Sequence, residues 1–249
     1  MTDTSVGGAD GPIFREIGQA QPQAAIPFLS PQGLAIATTT ALALKATLSL
    51  VEIVGLAMRV KVISDARRLG PGLAATLQSD AHLADTVVQA SGAIGLLSLI
   101  ACYVIAGMWI YRAARNVRAL GARGLDVTPG WAVGSYAVPI MNWFRPLVAM
   151  SEIWRASRWP DRWRSQSMPP MMGFWWAGWL ATGVLGNIVY AMSKAGSDLG
   201  LLMTINELSL LDLTFEIATI GLFLTIVWQV TRAQKASRHQ VQQVAETFA

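Results

Sequence analysis

The chain has 249 residues, 53% of them hydrophobic and only 14% charged, whereas a soluble domain carries about a quarter charged residues. That deficit and a mean hydropathy of +0.43 point to lipid as the solvent, and the net charge of +4 then reads as a positive-inside bias rather than a nucleic-acid surface. A single cysteine, Cys102, excludes an intrachain disulfide. The two histidines, His82 and His239, lie outside the apolar runs, which excludes a bis-His haem between helices and leaves zinc without a ligand set.

Residues 1–32 carry Asp3, Asp10 and Glu16 and no early apolar core, so the pattern is not that of a signal peptide. The stretch from Gln19 to Gln32 is rich in Pro and Gln and reads as a flexible arm. A polytopic membrane domain over 33–232 follows, then a C-terminal tail over 233–249.

A bilayer core needs about 20 apolar residues per helix. Four runs meet this: Gly33–Met58, Thr86–Tyr111, Met171–Ser193 and Leu208–Val230. A fifth, Trp131–Phe144, is too short and holds Pro139 and Asn142, with Arg145-Pro146 directly after it. Proline removes a backbone donor, and broken backbone at membrane depth is tolerated only inside protein or beside water. A re-entrant hairpin over Trp131–Trp154 is therefore expected. It keeps Arg112, Arg115, Arg118, Arg123, Arg145, Arg155 and Arg158 on the same side as Arg232, Lys235 and Arg238, the cytoplasmic side by charge bias. Five spans is the alternative, with Arg145 left in the membrane.

After the second run, Ala113, Val117 and Leu120 share one helical side while Arg112, Arg115, Asn116 and Arg118 take the other, an interfacial pattern. Gly121 and Gly124 end it, and Thr128-Pro129 opens the next element with good cap chemistry. A second amphipathic helix follows Pro146. The expected fold class is an all-α integral membrane protein: a bundle of four full transmembrane helices, a re-entrant or short fifth hydrophobic hairpin, and interfacial amphipathic helices.

The stretch from Trp109 to Pro160 carries Trp109, Tyr111-Arg112, Asn116, Leu120-Gly121, Pro129-Gly130-Trp131, Pro139, Asn142, Arg145-Pro146, Met150, Glu152 and Trp154-Arg155-Ala156-Ser157. Phe174-Trp175-Trp176 and Trp179 follow. On these residues the chain resembles a bacterial membrane family catalogued as domain of unknown function 4328, over roughly residues 85–232. The resemblance implies a fold and a bacterial membrane, and no activity; the bacterial cytoplasmic membrane is the expected location.

Four constellations stand out. In the hairpin, Trp131, Asn142, Arg145, Glu152 and Trp154, with Arg112 and Arg115 beside them, suit an anionic headgroup or a docking partner. Arg145 is expected to pair with Glu152 or with a lipid phosphate. A self-satisfied helix break is the purely structural reading. Thr38, Lys45, Ser49 and Glu52 form one polar stripe, and Ser209, Asp212, Glu216 and Thr219 another. Buried charge is costly, so the stripes should face each other, with Glu52 and Glu216 at one depth. Lys45, Glu52, Asp212 and Glu216 would then be a packing ion pair cluster or a cation and proton path. Small-residue faces at Ser91, Gly95, Ser98, Cys102 and at Gly178, Thr182, Gly186 suit close helix packing. Clustered tryptophans suit an interfacial belt, with a quinone or pigment site as the alternative.

No catalytic triad, phosphate loop or metal motif is visible. The expected function is a non-enzymatic membrane subunit or scaffold that docks on a larger assembly and binds lipid, without cofactor, metal or nucleic acid. The alternative is a small transporter or ion pathway using the intramembrane carboxylates. A third reading is a sensor acting through its arm.

Overall fold

The computed structural model describes residues 26–69, 77–196 and 198–247. The arm expected over 1–32 thus lies mostly outside the described residues. Every regular element among the described residues is helical: α1 (Gln32–Leu69), α2 (Gln78–Ala119), a short α3 (Pro129–Gly134), α4 (Arg145–Arg158), α5 (Pro170–Ser193) and α6 (Leu199–Thr247), with 3₁₀ turns at Ser135–Ala137, Met141–Trp143 and Trp163–Ser165.

Three helices are long and apolar enough to cross a membrane, over Gln32–Arg68, Gln78–Ala119 and Leu199–Gln240. α5 is long enough at 24 residues, ~36 Å at 1.5 Å per residue. Its tryptophans, glycines and Asn187 keep its most apolar stretch below those of the other three in hydropathy. α1, α2 and α6 overrun the ~30 Å hydrocarbon core, because 38, 42 and 49 residues give helices of ~57, ~63 and ~74 Å. Apolar runs mark only the part of each helix that suits lipid, and the polar extensions are recovered from packing.

α1 packs along α2 on one side and α6 on the other, and α6 carries α5. α1 and α6 run antiparallel: Lys235 Nζ donates to Gln32 Oε1 at 2.7 Å near one end, and Arg67 Nη2 donates to Leu199 O at 2.9 Å at the other. Close approach needs small residues. A Cβ on Gly55 would lie 2.8 Å from Val87 Cγ1, and one on Gly178 would collide with Thr219 Oγ1. Gly178 and Gly186 therefore face α6 within the chain.

The apolar core sits at the end where α2, α4, α5 and α6 meet, around Trp109, Ile110, Met150, Met172, Trp175, Phe223, Ile226 and Val230. Elsewhere large apolar side chains face outward: Leu97 is 69% exposed and Phe174 68%. A soluble monomer rarely shows such a continuous apolar surface, so the exposure and the three spans make this a membrane protein.

α2 ends at Gly121, whose φ of +95° is a left-handed conformation that favours glycine. Thr128 Oγ1 accepts from Trp131 N at 3.3 Å with Pro129 at the first helical position, as expected. From there α3 descends along α2, with Val133 against Gly107. Tyr136 reaches Trp179, which also touches Tyr103, both at 5.6 Å between ring centroids. The chain turns through Met141–Trp143 and returns as α4.

Candidate functional site

Two polar regions emerge from this frame, one at the core end and one within the bundle. At the core end, α4 turns Glu152 inward until it is 3% exposed. Its carboxylate accepts the backbone N–H of Asp126 at 3.1 Å and of Val127 at 3.2 Å, closing the loop after α2. Arg118 clamps the same loop, donating to Val127 O at 2.7 Å. Arg145 does not pair with Glu152, correcting that expectation, because the two backbone amides already hold the carboxylate. Among the described residues Arg145 makes no hydrogen bond or ion pair.

Burial pushes the Glu152 carboxyl above its ordinary value, and the two amide bonds only partly oppose this. A raised folded-state pKa means the native state holds the proton more tightly than the unfolded chain. The associated stability is present below the ordinary carboxylate pKa and is lost as pH rises through the folded value. Thermal melting in detergent should therefore show a rise in stability from this group on going from pH 8 toward pH 5. The same rise should be missing in Glu152→Gln; a rise of equal size in that variant would locate the effect elsewhere.

A side-chain network lies beneath. Asn116 and Gln234 are 1% and 0% exposed. Asn116 Nδ2 donates to Gln234 Oε1 at 3.0 Å and to Leu29 O at 2.8 Å, while its Oδ1 accepts from Leu29 N at 3.1 Å. Gln234 Nε2 donates to Ala113 O and to Ser157 Oγ, each at 3.0 Å, and Ser237 Oγ to Ser157 O at 2.8 Å. Residues 26–31 are thereby strapped across the end of the bundle, helped by Arg238 Nη1 on Phe28 O at 3.4 Å. Gln229, Thr231, Gln234 and Ser237 had no signal as site residues in the sequence.

Trp154 donates its indole N–H to Gln229 Oε1 at 3.0 Å, and the Arg158 guanidinium lies 3.8 Å over its ring. The tryptophans are not all a belt: Trp109, Trp163, Trp175 and Trp176 are at most 5% exposed. Trp175 stacks on Phe223 at 5.5 Å. Trp131 and Trp143 remain outside at 46% and 59% exposure, as do Ile140 and Phe144. Asn142 Oδ1 is buried without a partner, although its backbone N–H closes the turn on Val138 O at 2.8 Å.

The family model that matches covers residues 73–232, more than half of the chain, and describes a domain of unknown function, DUF4328. The chain belongs to the DUF4328 family. No curated protein and no solved structure matches it. Trp109, Asn116, Glu152, Trp154 and Ser157, which carry the resemblance in the sequence, meet at one end of this DUF4328 chain and hold it together there. The matched region stops two residues short of Gln234, which joins Asn116 to Ser157.

Inside the bundle the DUF4328 chain brings the two polar stripes together. Lys45 Nζ lies 2.6 Å from Glu216 Oε2 and 2.8 Å from Ser49 Oγ, and Ser49 Oγ donates to the same carboxylate at 2.7 Å. Glu216 is thus level with Ser49, and Glu52 falls nearer the depth of Asp212, one turn further along each antiparallel helix. Glu52 turns toward Gly92 of α2, while Asp212 turns toward Gly186 of α5, its Oδ1 buried without a partner. Among the described residues, no three His, Cys, Asp or Glu side chains are grouped to hold a metal ion.

Proposed function

We propose that the protein is a non-enzymatic subunit of a bacterial cytoplasmic membrane, a scaffold that docks on a larger membrane assembly and holds lipid there. In this reading α1, α2, α5 and α6 are four full spans, the strapped end faces the cytoplasm, and Trp131–Trp154 form a re-entrant hairpin. Support for the hairpin comes from its two ends: Val127 just before it donates its N–H to Glu152 near its close, so chain entry and exit lie at one level. Support for the fourth span is a charge-free stretch from Pro170 to Ser193.

The observation that carries the scaffold reading is the turn at the tip of the hairpin. Ile140, Trp143 and Phe144 are 78%, 59% and 52% exposed, next to the unengaged Arg145. They are mounted beside α4, whose Glu152 is tied to the backbone amides of Asp126 and Val127. An aromatic and cationic rim on a rigid support is the composition of an interface anchor. The test is extraction of the full chain in mild detergent from its own membranes. One polypeptide should accompany it at fixed stoichiometry and be lost in the double variant Ile140→Asn, Trp143→Ala with melting unchanged. Turnover of a substrate or movement of an ion by the purified protein alone would overturn the reading.

A second reading, an ion or proton pathway, is favoured by the buried Lys45–Glu216 pair, with Glu52 and Asp212 one turn further along the same two helices. It requires a proteoliposome flux that Glu52→Gln with Glu216→Gln abolishes; a flux left intact would remove it.

A further inference from the structure

A groove of about 560 Å³ runs along the outer face of α2, within the range of small-ligand sites. Its floor is α2 from Tyr103 to Arg115. Leu29 and Leu34 form one wall and Val133 of α3 the other. The first wall is fixed, because Asn116 holds Leu29 by both backbone groups. The second is fixed by the contact of Val133 with Gly107, where a Cβ would already come within 3.2 Å of Val133 Cγ1. The trough is therefore built into the fold rather than formed by loosely placed side chains.

Its two ends differ in chemistry. Tyr103, Val104 and Met108 are 48%, 58% and 53% exposed and supply an apolar channel. Arg112 and Arg115, three residues apart and so on one helical face, close the other end. Arg112 spends one donor on Ser30 O at 3.3 Å, and a guanidinium has five. Arg115 makes no hydrogen bond or ion pair among the described residues, and no acidic side chain lines the groove. From Tyr103 to Arg115 the helix rises ~18 Å, close to the ~15 Å depth of half a hydrocarbon core.

We propose that this groove binds one anionic phospholipid, with its phosphate on Arg112 and Arg115 and one acyl chain along Val104, Gly107 and Met108. Planar guanidinium forks match phosphate oxygens in pairs. The unpaired positive charge at a headgroup level selects an anionic over a zwitterionic lipid. The inference rests on the membrane reading above and not on the presence of a protein partner. A lipid held without a partner would leave it standing and remove the scaffold, and a partner without a lipid would do the reverse.

The test uses the full chain, delipidated in neutral detergent. It is titrated with palmitoyl-oleoyl phosphatidylglycerol and separately with phosphatidylcholine of the same chains, and bound lipid is counted by native mass spectrometry. One phosphatidylglycerol should be retained, with about tenfold preference over phosphatidylcholine. Arg115→Gln, which breaks no hydrogen bond or ion pair among the described residues, should reduce that preference, and Arg112→Gln with Arg115→Gln should erase it. Met108→Trp should weaken both lipids by filling the channel. Leu97→Trp, 69% exposed on the same helix outside the groove, should change neither. Equal binding of the two lipids by the wild type, or a preference untouched by Arg115→Gln in folded protein, overturns the proposal. So does a dimer that Met108→Trp dissociates, since a second copy would then be the occupant.

Discussion

Lys45→Met should lower the stability of the bundle by about 3–5 kcal/mol, the range for removing one partner of a buried pair. The lysine side chain is 8% exposed and that of Glu216 23%. Ser49 Oγ is the other group within reach of the Glu216 carboxylate, and one hydroxyl cannot replace an ammonium. A carboxylate left unpaired at this depth keeps its desolvation cost with no ammonium to offset it, which is costly in lipid. The informative comparison is the double variant Lys45→Met, Glu216→Leu, which removes both charges and should recover most of the loss. Unfolding in detergent, followed by circular dichroism for the four members of the cycle, measures the coupling. A single variant as stable as wild type would mean that the pair is hydrated and contributes nothing to packing.

Gln234→Leu should cost about 1–3 kcal/mol despite being nearly the same size, since it leaves one buried N–H of Asn116 without an acceptor. Ala113 O and Ser157 Oγ lose the same donor, and Asn116 Nδ2 loses one of two acceptors. Asn116→Ala should instead release the strap, because the N–H and C=O of Leu29 are both held by that one side chain. Amide exchange at Leu29 separates the two: faster in Asn116→Ala, and little changed in Gln234→Leu at a temperature where both remain folded. Equal protection of Leu29 in all three proteins would show that the strap is held by the arginines alone.

The apolar runs, the cap at Thr128-Pro129, the stop at Gly121 and the helical extension through Arg112–Leu120 were all legible in the sequence, because each is set by local chemistry. The two polar stripes were legible as stripes. Their register was not: it depends on how two long helices slide past each other, and the close approaches at Gly55 and Gly178 decide that only in three dimensions. The same applies to Glu152, whose partners are two backbone amides with no side-chain signature, and to Gln234, which sits in a polar segment that reads as solvated. The tryptophans misled for a related reason. Composition places indole rings at a headgroup level, yet the convergence of α2, α4, α5 and α6 gives Trp109, Trp163, Trp175 and Trp176 a protein interior in which to pack. Arg112 and Arg115 were legible as a pair suited to an anionic headgroup, but the groove beside them was not, because its walls come from residues 29, 34 and 133, brought together only by the strap and the hairpin.

The lock around Asn116 joins segments that leave the ribosome at widely separated times. Asn116 and Gln234 are 118 residues apart, which at 5–20 residues per second takes roughly ten seconds to synthesise. During that interval Asn116 can already hold Leu29, but the bonds from Gln234 to Ala113 and Ser157 cannot form. Chains that stop before Gln234 can still insert their apolar helices, but they cannot seal this end. Completeness of the last helix is thus recorded in the bond from Gln234 to Ser157 and not at Leu29, whose amide Asn116 already holds.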